Sequence, residues 1–136
     1  MNIVLGRSLR ALVVDDNYDA VASMKELLEL GCACEARGCT DGLSCLSLAD
    51  SFHPDVIFLD IAMPGMNGFA ILDQIRSRAQ PQAMVVALTG YAHDAMRSRA
   101  TAAGFAHYEA KPINFSRLCE LVEEAVQKAS LKYSRN

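Results

Sequence analysis

Apolar and polar positions alternate along the chain in a regular order. Residues 10–15, Arg-Ala-Leu-Val-Val-Asp, form a short β-branched run that stops abruptly in acid. That is the pattern of a strand buried on both faces that empties into a polar loop. From 18 to 30, Val21, Met24, Leu27 and Leu28 recur at helical spacing and Gly31 closes the segment, which predicts a first helix. Residues 33–39 predict a weaker second strand, and the turn Thr40-Asp41-Gly42 leads into a short helix carrying Leu43, Leu46 and Leu48. After Pro54-Asp55, the run Val56-Ile57-Phe58-Leu59-Asp60 predicts a third strand, again ended by a carboxylate. The turn-rich loop Met63-Pro64-Gly65-Met66-Asn67-Gly68 precedes a helix with Phe69, Leu72 and Ile75 and an Arg-rich end. Residues 84–89 predict a fourth strand, 94–103 a helix stopped by Gly104, and 106–109 a short fifth strand. Past Lys111-Pro112, Asn114 caps a last helix with Phe115, Leu118, Leu121, Val122, Ala125 and Val126 on one face.

Strict alternation of apolar strands with amphipathic helices implies the α/β class: one doubly wound, five-stranded parallel sheet flanked by five helices and joined by right-handed crossovers. No Pro/Gly/Ser-rich or charge-rich linker divides the chain. The expected organisation is an extension over residues 1–9, one domain over 10–129 and a polar tail over 130–136.

Composition narrows the class of protein. The 136 residues make one domain, and at 51% hydrophobic, 21% charged and net charge −3 the chain is too apolar for disorder and too weakly charged to neutralise nucleic acid. Direct nucleic-acid binding is therefore not expected. The longest apolar runs, 56–59 and 83–88, fall far short of the roughly 18 residues of a membrane helix. The first ten residues lack a secretory pattern, so a cytoplasmic location is expected. Five cysteines, at 32, 34, 39, 45 and 119, read as reduced thiols because an odd number without an export signal argues against a disulfide framework. Paired Cys-x-x-Cys spacing is missing and His53, His93 and His107 are scattered, so a zinc site is not expected.

In such sheets ligands bind outside the carboxyl ends of the strands, where the strand order reverses. The strand ends here read Asp15-Asp16, Asp60, Thr89 and Lys111, which gathers three carboxylates, a hydroxyl and an ammonium at one rim. A single aspartate ending a strand is ordinarily a solvated turn former, and Asp15-Asp16 beside Asn17 would suit a helix cap. Jointly the residues ask for more. Carboxylates 4 Å apart repel by about 4 kcal/mol at an effective dielectric of 20, so a positive charge must compensate. A hard divalent cation with oxygen ligands answers this, and the donor set favours Mg²⁺ over zinc.

These residues resemble the receiver domain of two-component response regulators, the chemotaxis-type phosphoacceptor domain. The resemblance covers about residues 8–128 and rests on Val13-Val14-Asp15-Asp16, Phe58-Leu59-Asp60 with the loop from Met63 to Gly68, Leu88-Thr89-Gly90, and Tyr108 three residues before Lys111-Pro112. It implies a flavodoxin-like receiver fold in which Asp60 accepts a phosphoryl group from a phosphohistidine. It also implies Asp15, Asp16, Asp60 and the main-chain carbonyl of Ala62 as Mg²⁺ ligands, Asp15 through water. Thr89 and Lys111 would contact the phosphoryl oxygens, Thr89 and Tyr108 would act as the switch, and the Lys111-Pro112 peptide would be cis. The implied partners are a sensor histidine kinase or histidine phosphotransfer protein, and a downstream protein docked on the fourth helix, fifth strand and fifth helix. The chain would be a stand-alone regulator or the receiver module of a hybrid histidine kinase, because no output domain fits in its length.

Three other readings compete. A Mg²⁺-dependent phosphatase would want a second aspartate two residues after its nucleophile, where Ala62 and Asn17 stand. A flavin binder would want a Gly-rich phosphate loop after the first strand. A degenerate receiver serving as a scaffold would lack one of the motifs, and all are present. The expectation is thus a self-modifying phosphoacceptor with autophosphatase activity, not an enzyme acting on other substrates.

Overall fold

The structure is a computed structural model that describes residues 2–63, 65, 67–78 and 82–134. Pro64 and Met66 of the loop after the third apolar run, and residues 135–136 of the expected tail, lie outside the described residues. The main sheet holds β3 (Arg10–Val14), β4 (Glu35–Cys39), β5 (Val56–Asp60), β6 (Met84–Thr89) and β7 (His107–Ala110), all parallel, in the order β4-β3-β5-β6-β7. Strands and helices alternate as the periodicity predicts: α1 (Tyr18–Glu26), α2 (Gly42–Phe52), α3 (Gly68–Arg76), α4 (Asp94–Ala103) and α5 (Phe115–Ser134).

Each central strand is buried on both faces, and its side chains divide by the two-residue pleat. Ala11, Val13, Val56, Phe58, Met84 and Val86 join α1 and α5 in one core. Leu12, Val14, Ile57, Leu59, Val85 and Ala87 join α2, α3 and α4 in the other. The sheet therefore sits between two helical layers, as a doubly wound fold requires. Its strand order reverses between β3, which Asp15 follows directly, and β5, which ends in Asp60.

Helix starts follow the capping signals. Asn17, Asp41, Asn67 and Asn114 accept from the N–H of Ala20, Ser44, Phe69 and Arg117, so Asn17, not Asp15 or Asp16, caps α1. The end of α1 differs from the pattern. The helix passes at Leu27–Gly31 into a π-helical turn, and the left-handed residue is Ala33 (φ 54°), not Gly31. Gly31 packs closely under Phe115, the first residue of α5: a Cβ there would lie 2.5 Å from Cε1 of that ring, which would have to move aside. The helix α5 also runs through 130–134, where composition suggests a polar tail.

Residues 2–9 carry structure that periodicity does not reveal. β1 (Ile3–Val4) and β2 (Arg7–Ser8) form an antiparallel hairpin whose turn residues, Leu5 (φ 50°) and Gly6 (φ 77°), take the positive φ that a two-residue hairpin needs. Val4 and Leu9 are buried in the α1–α5 core. Two-residue strands are too short to show a period, and the turn places leucine where asparagine or glycine is the usual signal.

Candidate functional site

The parallel register brings the candidate residues together. Val14 lies opposite Leu59 and Asp60 opposite Leu88, so Asp15 and Asp60 emerge side by side at the carboxyl ends of β3 and β5. Asp15 and Asp60 are buried, whereas Asp16 is exposed. Carboxylate oxygens from all three lie within 4.8 Å of one another, a group that could hold a metal ion. The backbone fixes the buried pair from beneath: Asp15 Oδ1 accepts from the N–H of Asn17 at 2.9 Å and Asp60 Oδ1 from that of Ala62 at 2.9 Å.

The Oδ2 atoms of the same two residues share one cation. Lys111 Nζ donates to Asp15 Oδ2 at 2.7 Å and to Asp60 Oδ2 at 3.2 Å. The lysine is aimed there by the loop after β7, where its N–H donates to the carbonyl of Thr89 at 2.7 Å and its peptide with Pro112 is cis. Burial works against the ammonium, but hydrogen bonds and charge from Asp15 and Asp60 outweigh it and hold the Lys111 pKa above its usual value. Three carboxylates and one ammonium leave an excess of negative charge at this rim, on two buried carboxylates and one exposed one. The donor set is all oxygen, so the chemistry of the residues fits a hard divalent cation.

Thr89 and Tyr108 are joined through an atom that sequence could not single out. The Thr89 hydroxyl donates to the carbonyl of Tyr91 at 3.1 Å and accepts from its N–H at 3.1 Å. Tyr108, whose ring is buried, donates its hydroxyl to the same carbonyl at 3.4 Å. Arg97 covers the ring at 5.2 Å and donates to the Tyr108 carbonyl at 2.9 Å. One main-chain carbonyl thus serves both hydroxyls. Tyr91's own side chain is exposed, and its part is played by backbone, which leaves no trace in residue identity.

The remaining candidates fall into structural places. His53 ends α2 in a left-handed conformation, and His93 caps α4 by accepting from the N–H of Met96. His107 meets Glu124 at 2.7 Å. Glu109 is paired in a double hydrogen bond with Arg117. Met63 is buried in the α2–α4 core.

Comparison with known proteins decides the family. A sequence model described as the response regulator receiver domain matches residues 11–123. The chain belongs to the response regulator receiver domain family. It is 32% identical over 123 residues to regulatory protein AtoC of Escherichia coli strain K12, covering 90% of this chain and 26% of that protein. The receiver chain thus spans about a quarter of the length of this curated relative. It is also 32% identical over 114 residues to an uncharacterized 14.6 kDa protein of Leptolyngbya boryana, covering 83% of this chain and 86% of that one. Among solved structures, a CheY-like response regulator receiver domain protein from Methanospirillum hungatei superposes with a TM-score of 0.82 at 25% identity, covering 92% of this chain and 98% of that chain. The chain is therefore a receiver domain of two-component signalling with the flavodoxin-like α/β fold. Among the described residues no helix is long and apolar enough to cross a membrane.

Proposed function

We propose that Asp60 is the phosphoacceptor: one of its carboxylate oxygens bonds to the phosphorus of a phosphohistidine while the phosphorus–nitrogen bond breaks and the imidazole leaves. The observation that supports this reading is Asp60 held between the N–H of Ala62 and the ammonium of Lys111, inside a three-carboxylate group at the point where strand order reverses. Asp15, Asp16, Asp60 and the Ala62 carbonyl would hold Mg²⁺, which when bound supplies positive charge to the phosphoryl oxygens. Lys111 offers the same oxygens a point charge, and Thr89 a hydroxyl donor, so the residues position the group and stabilise charge as phosphoryl transfer demands. Attack of water on the acyl phosphate resets the domain.

When Thr89 turns to the phosphoryl group it gives up the Tyr91 carbonyl, and Tyr108 with Arg97 readjusts on the surface formed by α4, β7 and α5. This is the face offered to a downstream protein. The donor is a sensor histidine kinase or a histidine phosphotransfer protein in the cytoplasm, and the domain works as a stand-alone regulator or within a hybrid kinase. The test is intact mass after incubation with acetyl phosphate and Mg²⁺. The wild-type chain is expected to gain one phosphoryl mass and lose it again on standing, and Asp60→Asn to gain none. An equal gain in Asp60→Asn would place the acceptor elsewhere.

A further inference from the structure

The five cysteines are partitioned by the sheet. Cys39 and Cys45 lie in the core toward α2, α3 and α4, whereas Cys32 and Cys34 lie in the core toward α1 and α5, with Cys119 packed against it. On that second face two sulfurs far apart in sequence meet: Cys32 Sγ, in the turn after α1, is 4.0 Å from Cys119 Sγ on α5, across 87 residues of chain. We propose that Cys32 and Cys119 are an oxidation site, closing to a reversible intramolecular disulfide when the protein meets a hydroperoxide.

The geometry supports closure. A disulfide needs sulfurs about 2.05 Å apart, so the pair must approach by about 2 Å. Cys119 is on α5 and Cys32 closes the π-helical turn after α1, where its N–H donates to the carbonyl of Leu28 and its own carbonyl accepts from the Asn2 amide at 2.6 Å, so closure comes from rotation of the two side chains and not from backbone movement. Cys119 is also the more accessible of the two, so it is the sulfur that meets oxidant. Burial, and the neighbouring Cys119, push the Cys32 thiol up to about 11, which makes it a poor first target. Peroxide oxidises the Cys119 thiol to a sulfenic acid and is reduced to water. The Cys32 sulfur then attacks the Cys119 sulfur, the S–OH bond breaks, and hydroxyl leaves with the Cys32 proton as a second water. Cys34, also buried and pushed up to about 12, turns its thiol to the Cys32 carbonyl at 3.7 Å and takes no part.

The proposal does not depend on the assignment of Asp60. It is tested on the full chain by treatment with hydrogen peroxide, then alkylation, digestion with trypsin without reductant, and peptide mass. The expected result is a monomer lighter by two hydrogens, with peptide 26–37 joined to peptide 118–128 and released by dithiothreitol. Cys34→Ser should retain the cross-link, and Cys32→Ser and Cys119→Ser should each lose it. The wild-type map needs no variant to fold. Absence of the linked peptides in it, a disulfide-linked dimer in their place, or a cross-link that survives in Cys32→Ser would overturn the proposal.

Discussion

An aspartate whose side chain is largely shielded from solvent stands at each end of β5, Asp55 just before it and Asp60 as its last residue, and the two are treated in opposite ways. Asp55, just before the strand, is fully matched: Arg7 grips both of its oxygens at 2.8 and 3.0 Å, and the N–H of Arg10 adds a third bond at 2.9 Å. Asp60, at the other end, divides one ammonium with Asp15 and has Asp16 in the same group. A carboxylate gripped by a planar guanidinium has its bonding capacity filled by fixed protein groups. A carboxylate that shares a single flexible ammonium with a like charge keeps a demand for more positive charge. The first arrangement locks a structure; the second leaves room for a ligand. The carboxyl end of β5 is thus the one with unmet demand for positive charge, on the side of the sheet where open α/β sheets bind ligands.

The largest effects should separate the two ends by assay. Lys111→Ala removes the cation beside Asp60, the proposed acceptor, and the rate of phosphorylation by acetyl phosphate is expected to fall about 10²–10³-fold, the scale seen when one charge-stabilising donor is lost. Arg7→Ala lies at the far end and should leave that rate within twofold of the wild type. A loss of phosphorylation in Arg7→Ala, with the fold intact by circular dichroism, would erase the division of labour.

Stability gives a second measure of the Asp55 end. Arg7→Ala strands the buried Asp55 with only the Arg10 N–H, and breaking a buried pair costs about 3–5 kcal/mol in the fully buried case. Arg7 is itself a quarter exposed, which lowers the expectation to about 2–3 kcal/mol in a urea titration. It should also loosen the amino-terminal hairpin, since Arg7 belongs to β2.

The same contrast explains what could be read without coordinates. Both cores and all five strands of the main sheet were legible, because double burial writes continuous apolar runs such as Val56 to Leu59 and helical faces repeat over several turns. The acidic rim was legible too, because Asp15, Asp16 and Asp60 follow directly on strands whose order can be guessed. The hairpin and its clamp were not. Arg7 and Asp55 are 48 residues apart and each looks like an ordinary surface charge. The Tyr91 carbonyl was likewise hidden, because every residue has one. Gly31 reads as the residue that closes the helix, whereas helical backbone runs through it to Cys32 and its missing Cβ leaves space beside the ring of Phe115.

Metal removal should act on one end alone. A cation bound only to the folded state stabilises it by about 1.4 kcal/mol at ten times its dissociation constant, so EDTA should lower the urea midpoint of the wild type relative to saturating Mg²⁺. Asp60→Asn should lose that difference, and without metal it should be more stable than the wild type by about 1 kcal/mol, because two like-charge repulsions go and only one attraction to Lys111 is lost. If Mg²⁺ raises the midpoint of Asp60→Asn as far as that of the wild type, the ion sits outside the three-carboxylate group.

Glu124 on α5 supplies the smallest effect and a reference for both ends, being a paired carboxylate that is partly exposed. Burial would raise its pKa, but the His107 ring at 2.7 Å and the Lys128 ammonium at 3.3 Å outweigh that and hold it below the usual glutamate value. A lowered folded-state pKa means that the stabilisation is present above the unfolded value near 4.5 and is lost as the pH falls through the folded one. Because the group is a third exposed, solvent screening keeps the contribution to a few tenths of a kcal/mol. Glu124→Gln should therefore lower the urea midpoint slightly at pH 6 and leave it unchanged at pH 3. A loss at pH 6 as large as that of Arg7→Ala would mean that pairing alone, irrespective of burial, sets the worth of a carboxylate in this domain, and the contrast between Asp55 and Asp60 would then need a different cause.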